Sequence, residues 1–365
     1  MSVDLHDDAA AMALALDWAA KAINLTSPNP RVGCVIVRDG QLLGAGHTLA
    51  AGQAHAEVQA MQDARARGFD PHGATVYVTL EPCSHHGRTP PCADALVAAG
   101  VARVVCAVQD PNPLVAGRGL ARLRAAGIVV TCGVMEAAAV EMNIGFFHRM
   151  RTGLPWVRMK TAASLDGKTA LFNGQSQWIT GPAARDDGHL WRARACAILT
   201  GIGTVQSDDP ALTVRAIETP RQPRRIVVDS RLQIEPRARI LQSMSVWIAT
   251  AQSAARNEEA LLAQGHVLLK LPDQNGKVDL PGLMQELGRR EINELHIEAG
   301  AKLNGSLLRE GCVNELLVYL APTLLGNARE MFDLPTLTAL SDQMRLHFHE
   351  VKQIGPDLRI LARLN

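Results

Sequence analysis

The segments AHAEVQA (residues 54–60) and EPCSHHGRTPPCADAL (residues 81–96) decide how we interpret the first half of the chain. The first has helical composition from His55 onward, and the second directly follows ATVYVTL (74–80), a β-branched run typical of a strand. Helices that alternate with short strands indicate a sheet covered by helices. We therefore predict an α/β fold in which His55 and Glu57 begin a helix and Cys83 follows a strand.

One imidazole and two thiolates are a ligand set that suits zinc. Three such ligands, here His55, Cys83 and Cys92, leave one position of a tetrahedral ion open, as a catalytic site requires. Zinc then lowers the pKa of a bound water toward neutrality. Glu57 is not needed as a ligand, and two residues beyond His55 it can carry a proton to a leaving amine. We predict that His55, Cys83 and Cys92 bind zinc and that Glu57 is catalytic.

Two other interpretations of these residues stay open. Eight residues separate Cys83 from Cys92, whereas the general signature of zinc nucleobase deaminases has two cysteines separated by two residues. A structural zinc site could recruit His85 or His86 as its fourth ligand, or the cysteines could be unrelated. We prefer the catalytic site because the His-x-Glu helix and the Pro-Cys turn occur together.

The alternation of strands and helices continues and then restarts. The Gly- and Pro-containing segment RTGLP (151–155) separates two differently patterned halves, so we predict domains at residues 1–150 and 155–365. In the second half, strands are predicted at 156–162, 197–199, 225–229, 245–250, 267–271, 294–298 and 315–320, and helices at 283–290 and 306–310.

No Gly-x-Gly-x-x-Gly follows a strand, which argues against a Rossmann site. Residues 300–306 and 201–204 are instead predicted to be loops at strand ends, where glycines permit close approach of a phosphate. The last 35 residues yield no structural prediction.

Composition narrows the class of protein. Because 37 basic residues nearly balance 36 acidic ones, no global field would draw the chain to nucleic acid or an anionic membrane. The acidic N-terminus, MSVDLHDDAAAM, lacks the features of a signal peptide. Seven scattered cysteines do not form the even set of a secreted disulfide framework. We expect a cytoplasmic protein that binds small molecules and neither nucleic acid nor membrane.

Four segments of the first half closely resemble one family. SPNPRVGCVIV (27–37), the two segments quoted first, and QDPNPLVAGRG (109–119) are similar to the deaminase domain of the bifunctional riboflavin biosynthesis family RibD. The longer cysteine loop is normal in that family. The resemblance implies a cytidine-deaminase-like α/β/α domain with the zinc ligands and Glu57 as above, and a pyrimidine-binding loop around Asn29, which could equally be a turn residue.

The second half resembles the reductase domain of the same family, which is dihydrofolate-reductase-like. The matching segments are MKTAASLDGKTA (159–170), SQWIT (176–180), LWRARACAILTGIGTVQSDDPALTVR (190–215), RIVVDS (225–230) and HIEAGAKLNGSLL (296–308). The resemblance implies that NADPH contacts Ala162, Trp178, Thr204, Asp208, Ser230, Gly300, Ala301, Lys302, Leu303, Asn304, Gly305 and Ser306. It implies that substrate contacts Ser176, Arg192, Leu212, Arg215 and Glu298.

Several of these reductase residues also have a purely structural interpretation. Arg192 and Arg215 could clamp a ribose 5-phosphate, because guanidinium groups bind phosphate oxygens bidentately. An ordinary ion pair with Asp186, Asp187 or Asp209 is the alternative. Trp178 could equally be core packing. Lys160 and Asp208 are the candidates for a proton donor.

The resemblance implies two reactions in sequence, a zinc-dependent deamination of a phosphoribosylated diaminopyrimidinone and an NADPH-dependent reduction of its ribosyl chain. It also implies a homo-oligomer, dimer or tetramer. The rival functions are a nucleobase or tRNA deaminase with an RNA-binding domain, and a zinc-stabilised binding module with an inactive reductase domain.

Overall fold

The computed structural model describes residues 4–84, 91–113, 115–252 and 257–364. The chain divides into two compact units, Met1–Thr152 and Gly153–Asn365, and the division falls within residues 151–155. Among the described residues, no helix combines the length and the apolar character needed to cross a membrane.

The described part of the first unit is a five-stranded mixed sheet with helices. Its elements in chain order are α1 (Asp8–Ala20), β1 (Gly33–Arg38), β2 (Gln41–His47), α2 (Ala56–Ala66), β3 (Thr75–Val78), α3 (Cys92–Ala98), β4 (Arg103–Cys106), α4 (Arg118–Ala125), β5 (Val129–Cys132), α5 (Glu136–Met142) and α6 (Ile144–Thr152). The strand order is β2-β1-β3-β4-β5. β1 is antiparallel to both of its neighbours, whereas β3, β4 and β5 are parallel. The predicted α/β fold of this half is confirmed.

Small residues allow helix α2 to lie directly on strand β2. Ala56, Ala60 and Ala64 recur every four residues, so they share one face of the helix, and all three are fully buried. A Cβ atom added to Gly44 in β2 would stand only 2.4 Å from the carbonyl oxygen of Ala60. Because only 4% of the residues are aromatic, α2 packs on β2 through close contact of the two backbones and not through large side chains. The same contact fixes the N-terminal end of α2, where His55 and Glu57 lie.

The second unit contains a larger sheet. Its elements in chain order are β6 (Trp156–Ser164), β7 (Lys168–Ala170), α7 (Pro182–Arg194), β8 (Ala197–Gly201), α8 (Ile202–Asp208), β9 (Arg224–Val228), a 3-10 helix (Arg239–Leu241), β10 (Val246–Thr250), α9 (Glu258–Ala263), β11 (Val267–Lys270), α10 (Leu280–Arg289), β12 (Glu294–Ile297), α11 (Ala301–Arg309), β13 (Glu315–Ala321), β14 (Arg329–Glu330), a 3-10 helix (Leu340–Asp342), β15 (Leu346–Ile354) and β16 (Asp357–Leu364). Nine of the described strands form one sheet in the order β11-β10-β9-β8-β12-β6-β13-β16-β15, and β14 pairs separately with β7.

Seven neighbouring strands of this sheet, from β11 to β13, run parallel. The antiparallel hairpin β15–β16 adds to the β13 side. Because the strands are parallel, their carboxyl ends meet at one edge, which is where α/β sheets bind ligands. The α/β fold predicted for this half is confirmed, and every strand predicted there has a counterpart within three residues of its predicted ends.

Three features of the second unit differ from the sequence-based prediction. The predicted loop at 201–204 is the start of a helix, because α8 begins at Ile202. Residues 301–306 are not a loop either, because α11 already begins at Ala301. Gly305 lies in its interior, where a Cβ atom would stand 2.0 Å from the carbonyl oxygen of Asp333, so this glycine serves packing and not a turn. The final residues, for which nothing was predicted, form β15 and β16, whose side chains are partly exposed and lack a clear apolar alternation.

Candidate active sites

His55, Cys83 and Cys92 come together in the first unit as predicted. The Cys83 sulfur lies 3.6 Å from Nδ1 of His55, and the Cys92 sulfur lies 3.4 Å from the same nitrogen. One ligand atom from each of the three residues falls within 4.8 Å of the other two. Three elements contribute: His55 is the N-cap of α2, Cys83 follows β3, and Cys92 begins α3.

The three side chains fit a zinc ion by their chemistry. The His55 side chain forms no capping hydrogen bond to α2, so its ring is not committed to the helix backbone. The hydrogen bond between the two cysteines, with a further contribution from His55, lowers the pKa of the Cys83 thiol, and the same bond raises the pKa of the Cys92 thiol. A thiolate is the form that binds metals. Within the described ranges no other group of His, Cys, Asp or Glu side chains has this geometry, and His85 and His86 lie outside those ranges.

Glu57 lies beside these ligands without being one of the three. It is in the first turn of α2, its side chain is 4% exposed, and it hydrogen-bonds with the Cys92 thiol. Burial, followed by the nearby Cys83, raises the pKa of this carboxyl group to about 7. A buried carboxyl that takes up and releases a proton near neutral pH has the property required of a general acid–base.

Glu81 is a residue of this site that the sequence analysis missed. It directly precedes Pro82-Cys83, is 3% exposed, and its carboxylate accepts four backbone N–H groups. The donors are Asp110, Gly117, Gly119 and Leu120. The motif EPC contains the signal, but the four donors lie between Asp110 and Leu120 and could not be inferred from sequence spacing.

In the second unit, several of the residues implied for NADPH follow the carboxyl ends of the parallel strands. Thr204 is in α8, directly after β8, and Gly300 separates β12 from α11. β8 and β12 are neighbours, and a Cβ atom on Gly300 would lie 3.8 Å from the Thr204 hydroxyl oxygen. A Cβ atom on Gly201 would lie 3.1 Å from Leu303. Thr204, Gly300 and Leu303 are therefore brought together.

This edge retains polar groups suited to a dinucleotide. Oγ1 of Thr200, Oδ1 of Asp229 and Oδ1 of Asn304 are buried without a hydrogen-bond partner among the described residues. The first turn of the nine-residue helix α11 offers the backbone N–H groups that a helix cannot satisfy internally. Anions bind such helix starts. The residues present therefore fit a phosphate-containing cofactor.

Some implied cofactor residues have other contacts or are exposed. The Asn304 amide donates to the carbonyl oxygens of Ala299 and Met331, and Ser306 donates to the carbonyl oxygen of Lys302. Ser230 accepts from the Val278 backbone N–H. Trp178 is 65% exposed and stacks on Arg185, which contradicts its interpretation as core packing. The remaining members are placed as follows: Ala162 half-buried in β6, Ala301 half-buried and Lys302 exposed in the first turn of α11, and Asp208 exposed at the end of α8.

Glu298 and Arg192 form a partly buried ion pair at the same edge. The Arg192 guanidinium makes two hydrogen bonds to the Glu298 carboxylate, of 2.5 and 2.9 Å, and a third to the carbonyl oxygen of Thr213. Lys160 lies 3.9 Å from the same carboxylate. Burial opposes ionisation of Glu298, but Arg192 and Lys160 outweigh it and hold its pKa well below the usual range.

Arg192 does form an ion pair, as the structural alternative expected, but its partner is Glu298 and not an aspartate. Asp187 pairs with Arg359 and accepts a hydrogen bond from Tyr319, so it is not the partner of Arg192. Of the other implied substrate residues, Leu212 packs in the core, Arg215 is exposed, and Ser176 is half-buried. The structure does not place Arg215 in an ion pair within the described chain.

Comparison with known families defines the class of each unit. Residues 5–108 match the family model of the cytidine and deoxycytidylate deaminase zinc-binding region, and residues 155–360 match that of the RibD C-terminal domain. The chain thus joins a deaminase-type zinc-binding domain to a RibD-type reductase domain.

Full-length relatives give the particular family. The chain is 50% identical over 361 residues to the riboflavin biosynthesis protein RibD of Escherichia coli K12, covering 95% of this chain and 96% of that protein. It is similar to the Acinetobacter baumannii RibD structure, form 1, with a TM-score of 0.90, 42% identity and 99% coverage of both chains. It is also similar to a deaminase/reductase structure from Thermotoga maritima, with a TM-score of 0.89, 31% identity and 99% coverage of both chains. The chain belongs to the RibD family of bifunctional riboflavin biosynthesis enzymes, as its motifs implied.

Proposed function

We propose that the first unit deaminates 2,5-diamino-6-(5-phosphoribosylamino)pyrimidin-4(3H)-one. The second unit then reduces the ribosyl chain of the product, 5-amino-6-(5-phosphoribosylamino)uracil, to ribityl. The Thermotoga maritima relative is described as the deaminase and reductase of these two compounds. The observation that carries the proposal is the convergence of His55, Cys83 and Cys92 around one point with the buried Glu57 beside them.

In the deamination, His55, Cys83 and Cys92 hold one zinc ion per chain. When bound, zinc activates a water molecule for attack on the ring carbon that carries the amine. Glu57 takes a proton from the water and gives it to the ring nitrogen, and it then takes the remaining proton of the added hydroxyl and gives it to the departing amine. The ring gains the oxygen atom of the water, and ammonia leaves. Because Glu57 is buried, its proton goes to the substrate and is not exchanged with bulk solvent.

In the reduction, the carboxyl edge of the parallel strands would hold NADPH, which would supply the hydride that C1′ of the ring-opened imine receives. The backbone N–H groups of Ala301, Lys302 and Leu303 bind a phosphate at the start of α11, and Gly300 lets it approach. Thr204 lies against Gly300, while Ala162, Trp178, Asp208 and Ser230 complete the cofactor contacts. Asn304, Gly305 and Ser306 act within the helix and hold its first turn in place.

The substrate of the reduction binds beside the Arg192–Glu298 pair. Glu298 fixes the Arg192 guanidinium, so that its remaining surface meets the substrate in one orientation. Arg215 is exposed and free to bind the 5-phosphate, whereas Leu212 contributes through its backbone and packing. Ser176 completes the substrate contacts. Lys160, beside Glu298, is the proposed proton donor to the ribosyl nitrogen.

A paired assay on the purified full chain tests both halves. Supplied with the diaminopyrimidinone, the protein should release ammonia first and consume NADPH only afterwards, with about one zinc per chain by metal analysis. Ammonia release without NADPH consumption would refute the reductase activity. Absence of both signals in a zinc-loaded, folded protein would favour a tRNA or free-base deaminase.

We also propose that the chain forms a homo-oligomer through its second unit. β15 is an edge strand of the nine-stranded sheet and exposes Leu346, Phe348 and Val351 at 41%, 73% and 54%. Exposed apolar edge strands are surfaces that pair with other chains. Sedimentation analysis of the native chain and of Phe348→Lys should show a dimer or larger species that the substitution weakens, and a monomeric native chain would refute the proposal.

A further inference from the structure

The Glu81 carboxylate holds a second segment of the chain against the strand end that carries Cys83. Its Oε2 accepts from the N–H groups of Asp110 and Gly117, at 3.1 and 2.9 Å. Its Oε1 accepts from Gly119 and Leu120, at 2.8 and 3.3 Å. All four donors belong to QDPNPLVAGRG and the residue after it, a segment that the proposed deamination does not yet use.

No cation in the described part of the chain forms an ion pair with Glu81. A carboxylate that is 3% exposed has lost most of its hydration, so its charge must be compensated within the protein. Gly119 and Leu120 are in the first turn of α4, where backbone N–H groups have no partner within the helix. The N-cap residue of α4 is Gly117, which has no side chain to cap the helix, and Glu81 supplies that cap from a distant position in the sequence.

The start of α4 also packs directly on the backbone before Cys83. A Cβ atom at Gly119 would stand 2.0 Å from the carbonyl oxygen of Pro82. Cys83 is the next residue, and its sulfur accepts a hydrogen bond from the Cys92 backbone N–H at 3.3 Å. Movement of residues 81–82 would therefore move one ligand relative to the other two.

We infer that Glu81 is a positioning residue of the metal centre, which anchors the Pro82-Cys83 segment after β3 on α4 and so fixes the Cys83 sulfur relative to His55 and Cys92. This inference rests on the zinc site of the proposed function. Partners that orient metal ligands typically contribute 10- to 100-fold to metal affinity or activity. Glu81 acts on Cys83 through the backbone and touches neither metal nor substrate.

The test compares zinc retention in three variants of the full chain. In Glu81→Gln an amide NH₂ replaces one acceptor oxygen and faces two N–H donors, while side-chain size is unchanged. Gly119→Ala forces α4 away from Pro82 and leaves the carboxylate intact. Asp7→Asn is the matched control, because Asp7 also accepts two backbone N–H groups at a helix start in the same unit.

We expect Glu81→Gln and Gly119→Ala to release zinc to a chelator at about 10- to 100-fold lower chelator concentration, with a corresponding fall in deaminase kcat. In Co²⁺-substituted protein, both should change the thiolate-to-cobalt absorption, which reports ligand geometry. Asp7→Asn should match the native chain in each measurement, and reductase activity on supplied uracil substrate should be unchanged in all three.

Native zinc retention together with a native cobalt spectrum in Glu81→Gln would overturn the inference. A loss of zinc accompanied by an equal loss of reductase activity would overturn it as well, because the effect would then be general unfolding. Should Glu81→Gln not fold, Gly119→Ala decides by the same readouts. Zinc retention is measured without substrate, so failure of the proposed reaction would appear separately, as a native chain that holds zinc and releases no ammonia.

Discussion

The two active sites of this chain are built on different principles. In the first unit, one ligand atom each of His55, Cys83 and Cys92 lies within 4.8 Å of the other two, and their residue types alone predict a metal centre. In the second unit, the proposed site consists of ordinary residues at the ends of neighbouring parallel strands, and the ion pair assigned to it, Arg192 with Glu298, joins residues far apart in sequence. A site defined by the types of its residues can be predicted from short sequence motifs, whereas a site defined by their arrangement in space cannot.

Removal of zinc should produce the largest difference between the activities of the two units. Treatment with a chelator should reduce ammonia release to background, because the proposed deamination depends on zinc to activate water. NADPH oxidation with supplied uracil substrate should continue at the native rate. Added zinc should restore deamination, and a parallel loss of both activities would show that the sites are not independent.

Glu57→Gln should give the next largest effect, again confined to the first unit. Loss of a positioned general acid–base lowers kcat by about 10²- to 10⁴-fold. Zinc content should stay at the native value, because Glu57 is not among the three ligands. Deamination at the native rate would remove Glu57 from the mechanism.

Glu298→Gln should affect the second unit alone. Arg192 and Glu298 are 15% and 13% exposed, so the substitution leaves a largely buried guanidinium without its charge partner. Breaking such a pair costs roughly 3 kcal/mol of unfolding free energy. Reductase kcat/KM should fall as well, while deaminase kcat should not change.

The control for this substitution is Glu286→Gln on α10. Glu286 pairs with Arg289 and Arg290 on an exposed helix surface, so its loss should cost no more than about 0.5 kcal/mol. Denaturant titration that gave equal losses for both variants would contradict the assignment of the Arg192–Glu298 pair as the stronger one.

The smallest effect concerns pH. Burial, with Arg192 and Arg215 nearby, lowers the pKa of His189 to about 4. The folded second unit therefore keeps His189 neutral while the unfolded chain takes up a proton near pH 6.5, so stability falls as pH decreases from about 6.5 toward 4. Between pH 7 and 5.5 the loss from this group is roughly 1 kcal/mol.

His189→Asn tests this pH dependence. The Asn carbonyl can accept the Arg215 backbone N–H that Nδ1 of His189 accepts at 3.4 Å, but it does not titrate. The thermal transition of the second unit should then depend less on pH than in the native chain. Equal slopes for the two proteins would exclude His189 as the source.

Most of the architecture could be predicted from the sequence, because local patterns carry it. Runs such as ATVYVTL and the Ala56, Ala60, Ala64 spacing specify strands and helices through side-chain periodicity. The start of α11 and the hairpin β15–β16 could not be predicted. In the sequence Gly305 resembles a turn residue, whereas in the structure it packs against Asp333, and the edge strand β15 has no buried residue that would impose alternation.

The sequence by itself determined the family and the α/β class of both units, and it predicted the zinc ligands with Glu57, since these depend on residue identity within short segments. Only the tertiary structure decided which groups compensate buried charge. Glu81 finds its four N–H donors, and Arg192 finds Glu298 instead of an aspartate, through the order of the strands and the helices that cross them. The charge of a buried carboxylate must be balanced by nearby hydrogen-bond donors or cations. The fold determines which groups lie close enough, and the spacing of residues in the sequence does not show which they are.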